Sequence, residues 1–376
     1  MNNRTFTIWC NNDFAPEQES ERALLISRVG GHRLLMFEHD HDDQDAESRA
    51  ALRIADIAFG YPDAHALSNC ERLLWIHLNT AGYTSFDRAD IRQTLTERGT
   101  VLTNSSAVYN EPCAQHLLAM ISGLARGLPV ALDSQRGDKS WQVSALRPRL
   151  RLLNEQTVLI LGFGAIAQRL VELLRPLQMN LIAVRREREG NEPIPVVTAS
   201  AVDDFLPRAD HLVNTLPANE QTANFLNAER LARLKPGAIV YNIGRGTTLD
   251  QNALMQELRA GRIAAAYLDV TNPEPLPPDH PLWDVPNCLI TPHIGGRHDN
   301  EKERQVKHFL DNLRRFEHGE ALQNRILSRR DLFRKYRRRP EVQIASWPSQ
   351  TRTIRSFPLT RFSGTRNCLD HRHVLD

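Results

Sequence analysis

Within "TVLILGFGAIAQRLVELL" an apolar run ends on Gly162-Phe163-Gly164-Ala165-Ile166-Ala167 and passes into an amphipathic pattern. This is G-x-G-x-x-A between a strand and a helix. The first glycine permits a tight turn, and the second lets a pyrophosphate approach the backbone. The third small residue lets helix and strand pack closely. N–H groups at the helix start, around Gly164, Ala165 and Ile166, then face phosphate charge. The pattern points to a dinucleotide. About twenty residues on, an acid usually receives the ribose hydroxyls of NAD. Here "LIAVRRERE" offers Arg185 and Arg186 instead. A guanidinium there suits a 2′-phosphate through bidentate, charge-assisted hydrogen bonds. The expected cofactor is therefore NADP, with NAD as the alternative.

Further chemistry-bearing residues follow in order: Arg245 in "NIGRGTTLD", Asp269 and Glu274 in "YLDVTNPEPLP", and His293 in "TPHIGG". All lie at the carboxyl ends of strand candidates, where open α/β sheets bind ligands. Taken singly, Arg245 fits a surface turn, Glu274 a loop charge among prolines, and His293 a polar helix start. Their joint order after one glycine turn outweighs those readings.

With these residues the chain resembles the D-isomer-specific 2-hydroxyacid dehydrogenase family, which includes glyoxylate/hydroxypyruvate reductases. The likeness runs over nearly all of residues 1–327, through "TNSSAVYNEPCAQHLLA", "LKPGAIVYNIGRGTTLDQNAL" and "HPLWDVPNCLITPHIGG". It implies that Arg245 binds the substrate carboxylate and carbonyl oxygen, and that His293 is the acid/base with Glu274 as its partner. It further implies that Asp269 orients the nicotinamide carboxamide. Ala81 and Gly82, in "NTAGY", would offer backbone N–H groups to the carboxylate. The chemistry suits these types. A 2-keto acid carries a fixed negative charge that a fork-shaped cation matches. Histidine can donate a proton near neutral pH to the oxygen on which charge develops. A carboxylate beside it favours the imidazolium and holds the ring. Two departures stand out: Thr84 where relatives often have Asp, and Gln115 before His116 where they commonly have Glu.

The elements that must position these groups are alternating strands and helices. In the first hundred residues "TFTIWC", "RLLMFE" and "ERLLWIHLN" read as strands, and "EQESERALLIS" and "DAESRAALRIA" as helices. A long helix is expected from Glu111, with Pro112 near its start and Gly127 near its end. Residues 157–162, 180–185, 211–217, 238–244, 264–270 and 288–292 read as strands of a sheet covered on both faces. The helix pattern at 250–261 closes on Gly261. The class is α/β with two doubly wound parallel-sheet domains. The resemblance makes one a flavodoxin-like substrate domain, 1–104 and 294–327, and the other a Rossmann NAD(P)-binding domain, 105–293, with the active site in the cleft. It also implies a homodimer packed through the long helix, and it finds the strand that usually completes the substrate domain degraded at "EALQNRILSRRDLF".

A chain of 376 residues is long for one core. Its five cysteines lack metal or disulfide spacing, which points to reduced thiols in a cytoplasm. No membrane span or signal peptide is read. "FEHDHDDQDAE", with His39 and His41, reads as a solvated acidic loop, so no metal site is expected. Residues 328–376 hold 12 Lys+Arg against 4 Asp+Glu, leaving 35 against 41 in residues 1–327. That basic tail, 328–376, reads as disordered, with nucleic acid a weak alternative partner. A second functional reading is a corepressor-like NAD(P)H-sensing protein, which the intact Arg/Glu/His set disfavours.

Overall fold

The computed structural model describes residues 4–37, 46–188 and 190–327. The acidic loop with His39 and His41 and the basic tail lie outside the described residues. Thirteen strands are formed among them: β1 (Thr7–Cys10), β2 (Arg33–Met36), β3 (Ile57–Gly60), β4 (Trp75–Leu78), β5 (Val101–Thr103), β6 (Thr157–Leu161), β7 (Asn180–Arg185), β8 (Val196–Thr198), β9 (His211–Asn214), β10 (Ala238–Asn242), β11 (Ile263–Leu268), β12 (Cys288–Ile290) and β13 (Arg325–Leu327).

The first sheet has the order β2-β1-β3-β4-β5-β13. Its first five strands run parallel. Read from the edge they follow 2-1-3-4-5, the flavodoxin-like winding. The sixth, β13, pairs antiparallel with β5. The strand expected to be degraded is therefore present, over Arg325–Leu327 among the described residues. β3 and β5, absent from the strand candidates, occupy the sheet's interior; each is too short to show a period. The second sheet, in the order β12-β11-β10-β9-β6-β7-β8, is parallel throughout. This is the 3-2-1-4-5-6 order of dinucleotide-binding sheets with one added strand. Its outer strand β8 was also unread, being three residues after Pro193 and Pro195.

The long helix spans Ser106–Ala125, starting earlier than expected. Pro112 therefore sits inside it, not at its first turn. Its face of Cys113, Ala114, Leu117 and Ile121 is buried against Ala167, Leu170 and Val171 of the helix Ala165–Leu174. Arg169 Nε reaches Glu111 Oε2 at 2.5 Å across that pair, and Gln115 donates to Glu111 at 2.6 Å. The departure at Gln115 thus serves to hold Glu111. Gly127 takes a left-handed φ of 64° and starts the next helix, Leu128–Arg136. Gly261, with φ 71°, closes the helix Gln251–Arg259 as expected, and the Asp250 side chain caps its start on Ala253 N. No single helix among the described residues is long and apolar enough to cross a membrane. Cys10, Cys70, Cys113 and Cys288 are free thiols.

Three histidines sit neutral in these cores. His211 on β9 is held by Tyr241 Oη at 3.0 Å and Gln156 Oε1 at 2.6 Å, and burial lowers its pKa to about 4. Burial also lowers His77 and His308, whose rings lie 5.1 Å apart. Below pH 6.5 the unfolded chain binds protons that these folded side chains refuse. Stability from these groups is thus intact above pH 6.5 and lost as pH falls toward the folded values. His211 alone accounts for about 3 kcal/mol by pH 4, at roughly 1.4 kcal/mol per pH unit. Urea unfolding at pH 7.5 and pH 5 should show a marked loss for the wild type and a smaller one for His211→Gln. Equal losses would count against this account.

Candidate active site

The cofactor turn follows β6. Gly162 adopts φ 90°, and a Cβ there would meet Thr215 Oγ1 at 2.8 Å, so the position takes only glycine. Gly164 starts the helix Ala165–Leu174, and a Cβ on it would meet nothing within 4 Å. The open space beside Gly164 lies at the helix start, where first-turn N–H groups have no intrahelical partner, and it fits a pyrophosphate. Arg185 ends β7 with Nη1 3.9 Å from Glu192 Oε1. Glu192 is an acid the sequence reading missed, since it lies seven residues beyond the strand end. Its side chain is buried, and its Oε2 accepts from Gly190 N at 2.9 Å. Arg186 lies near Tyr83 of the first sheet's loops. Burial and then Asp87 raise the Tyr83 phenol, while Arg186 and Arg92 oppose them.

Arg245 follows β10 in an extended conformation, φ −146° and ψ 144°. A buried polar network fixes it. Asn214 Nδ2 donates to Asn242 Oδ1 at 3.1 Å and to Thr248 Oγ1 at 2.7 Å. Thr248 Oγ1 and Asn242 Nδ2 then donate to the Arg245 carbonyl at 2.6 and 3.2 Å. Asn214 and Asn242 were not singled out in the sequence. Their signal was available, as each is a polar residue closing an apolar strand, in "HLVN" and "AIVYN".

The guanidinium of Arg245 reaches the other sheet's loops. A Cβ on Gly82 would lie 2.3 Å from Arg245 Nη2, so glycine leaves room for that approach. The turn carrying Gly82 is tied by its carbonyls: Asn104 Nδ2 donates to Ala81 O at 2.6 Å, and Thr80 Oγ1 to Gly82 O at 2.7 Å. The N–H groups of Ala81 and Gly82 make no hydrogen bond among the described residues.

His293 and Glu274 are brought together. His293 Nδ1 faces Glu274 Oε1 in a short contact, with both side chains roughly half exposed. His293 has a left-handed φ of 53°, a conformation that costs about 1–3 kcal/mol outside glycine. Its N–H is held by Asp269 O at 2.9 Å and Thr291 O at 3.0 Å. Asp269, buried, does more. Its Oδ1 accepts from Thr291 Oγ1 at 2.6 Å and Ile294 N at 3.0 Å, and its Oδ2 from Gly295 N at 2.9 Å. Tyr267 Oη donates in turn to Thr291 Oγ1 at 2.7 Å. Asp269 therefore clamps the turn that presents His293, a contact the sequence reading did not assign. Its carboxylate and Arg245 flank Cys113, whose thiol burial pushes up to about 12, with Asp269 raising and Arg245 lowering it. Among the described residues no three His, Cys, Asp or Glu are grouped to hold a metal ion.

A glycine turn on the first strand of a 3-2-1-4-5-6 sheet, with a cation and a His–carboxylate pair at neighbouring strand ends, defines a nicotinamide-nucleotide-dependent oxidoreductase. The family model for "D-isomer specific 2-hydroxyacid dehydrogenase, NAD binding domain" matches residues 118–295. Glyoxylate/hydroxypyruvate reductase B of Yersinia enterocolitica is 31% identical over 286 residues, covering 74% of this chain and 85% of that protein. A D-isomer specific 2-hydroxyacid dehydrogenase family protein from Aeromonas salmonicida is 28% identical, with TM-score 0.67 over 86% of this chain and 99% of the other. A fold match at 24% identity, TM-score 0.71, covering 89% of this chain and 100% of the other, is the Xanthobacter autotrophicus dehydrogenase solved with NADPH and MES. The chain belongs to the D-isomer specific 2-hydroxyacid dehydrogenase family and is an NAD(P)-dependent enzyme.

Replacing Asp269 by Asn puts an amide N–H against donors that now meet a carboxylate. The expected loss is about 1–3 kcal/mol in urea unfolding, together with at least a tenfold drop in kcat as the His293 turn loosens. An Asp269→Asn enzyme with wild-type kcat would refute the clamp.

Proposed function

We propose that the protein reduces a small 2-keto acid, of the glyoxylate/hydroxypyruvate type, to the D-2-hydroxy acid, with NADPH preferred over NADH. The observation that carries this reading is the close approach of the Arg245 guanidinium, beyond β10, to Gly82 of the other sheet's loops, and the His293–Glu274 pair formed beyond the neighbouring strands supports it. The first sheet with residues 294–327 would be the substrate domain, and 105–293 the cofactor domain. The cleft between them would hold the site.

The bound nicotinamide supplies the hydride. Arg245 and the N–H groups of Ala81 and Gly82 bind the substrate carboxylate, which fixes the keto carbon. As that carbon is reduced, negative charge develops on its oxygen. Arg245 stabilises the charge, and His293 gives it a proton. Because Nδ1 faces Glu274, Nε2 is the nitrogen left to do so. Glu274 favours the imidazolium and holds the ring. Asp269 is free to orient a carboxamide only through what its three donors leave.

For the cofactor, Gly162, Gly164, Ala165 and Ile166 would cradle the pyrophosphate, and Arg185 with Arg186 would meet a 2′-phosphate. Glu192 beside Arg185 would hold its side chain in place for that contact. A homodimer is supported by apolar side chains exposed along one segment, Leu128, Leu132, Trp141, Val143 and Leu152. A second copy would cover them.

Arg245→Ala and His293→Ala are each expected to lower kcat/KM for hydroxypyruvate by about 10²–10⁴-fold. Robust turnover in either would sink the mechanism, and a wild type that binds NADPH yet reduces no 2-keto acid would favour a nucleotide-sensing role. Arg185→Asp should cut the NADPH/NADH preference at least tenfold, about 1.4 kcal/mol. An unchanged ratio would leave Arg185 a loop charge.

A further inference from the structure

The turn that carries Gly82 is fastened through its carbonyls. From the last residue of β4 onward, four successive carbonyls accept hydrogen bonds from residues 104–109, which lead from β5 into the helix Ser106–Ala125. Ser105 Oγ donates to Leu78 O at 2.8 Å, and Ser105 N to Thr80 O at 3.0 Å. Tyr109 Oη shares its proton between Asn79 O at 3.0 Å and Glu301 Oε1 at 2.8 Å. Asn104 Nδ2 donates to Ala81 O at 2.6 Å, the shortest of the bonds to these carbonyls.

The consequence lies in the peptide plane. In a trans peptide the C=O of one residue and the N–H of the next point in opposite directions. The peptides Thr80–Ala81 and Ala81–Gly82 are both trans. Drawing the Thr80 and Ala81 carbonyls toward residues 104 and 105 therefore turns the Ala81 and Gly82 N–H groups the other way. Those are the two N–H groups that no acceptor takes among the described residues.

Asn104 is suited to this task. It is 4% exposed. Its Oδ1 accepts from Ser106 N at 3.2 Å and Ser106 Oγ at 2.7 Å, which fixes the amide's orientation and leaves Nδ2 as the donor toward Ala81. Its own N–H is held by Asn324 O at 3.1 Å. We propose that Asn104 is a positioning residue for the substrate. By holding the Ala81 carbonyl it fixes the direction of the Gly82 N–H, so that one carboxylate meets that N–H and the Arg245 guanidinium together. This rests on the reductase reading and extends it to a side chain that acts through the backbone it holds.

The test uses the full chain, as wild type, Asn104→Asp and Asn104→Ser. Aspartate keeps the oxygen that faces Ser106 and loses the donor to Ala81 O. Serine is neutral and keeps the same local turn with its hydroxyl, but it is too short to reach that carbonyl. Each variant should raise the KM for hydroxypyruvate about tenfold or more, with kcat changed less than about threefold and NADPH binding unchanged. Agreement between the charged and the neutral variant separates aim from charge. Amide hydrogen exchange over residues 79–83, read with NADPH and with or without oxamate, needs no turnover. Oxamate should slow exchange there in the wild type and lose that effect in both variants. A KM unmoved in Asn104→Ser would overturn the assignment. So would a KM that rises together with the NADPH dissociation constant, or wild-type exchange that oxamate leaves unchanged. Asn104-dependent protection by oxamate in an enzyme that reduces no 2-keto acid would uphold the positioning role and overturn the reductase reading.

Discussion

A carboxylate withdrawn from water must be met by hydrogen-bond donors, and at the end of β11 that demand organises the site. Asp269 is met by one hydroxyl and two backbone N–H groups, all supplied by Thr291 to Gly295. The segment that satisfies the charge is the segment that carries His293. The strained φ of the histidine is thus held by bonds on both sides of it. A turn built this way has little freedom to drift, which suits the proton transfer proposed for His293.

The same logic recurs one strand over. Asn214 and Asn242 close β9 and β10 in full burial, and their amides are consumed by each other, by Thr248 and by the backbone around Arg245. Polar groups buried at strand ends act as fasteners for the loops beyond. Arg245 extends from a fastened base toward Gly82 of the other sheet, where the missing Cβ leaves space for it. Rigid roots and an open tip let one residue serve two sheets.

The glycine turn, the arginine, the glutamate and the histidine were legible because each depends on residue type at a fixed place after a strand. The two doubly wound parallel-sheet domains followed from alternation and from the family resemblance. Strands β3, β5 and β8 were not legible: three or four residues show no period, and no longer apolar run extends them as LLWIHL extends β4. The start of the long helix was misplaced because Pro112 looks like a first-turn residue, whereas the helix runs through it from Ser106. The clamp by Asp269 and the acid at Glu192 were hidden for another reason. Both are defined by what approaches them from 22 to 26 residues away, or around a loop, and spacing alone does not encode such approaches.

The short strand β13 has a consequence for how the first sheet is completed. Among the described residues β5 has β4 on one side and β13 on the other. Between β5 and β13 the chain builds the whole second sheet. During synthesis the outer edge of β5 therefore stays bare, with its N–H and C=O groups unpaired, until residues 325–327 have emerged. Arg325, Ile326 and Leu327 lie along that edge and cover groups that would otherwise invite a foreign strand.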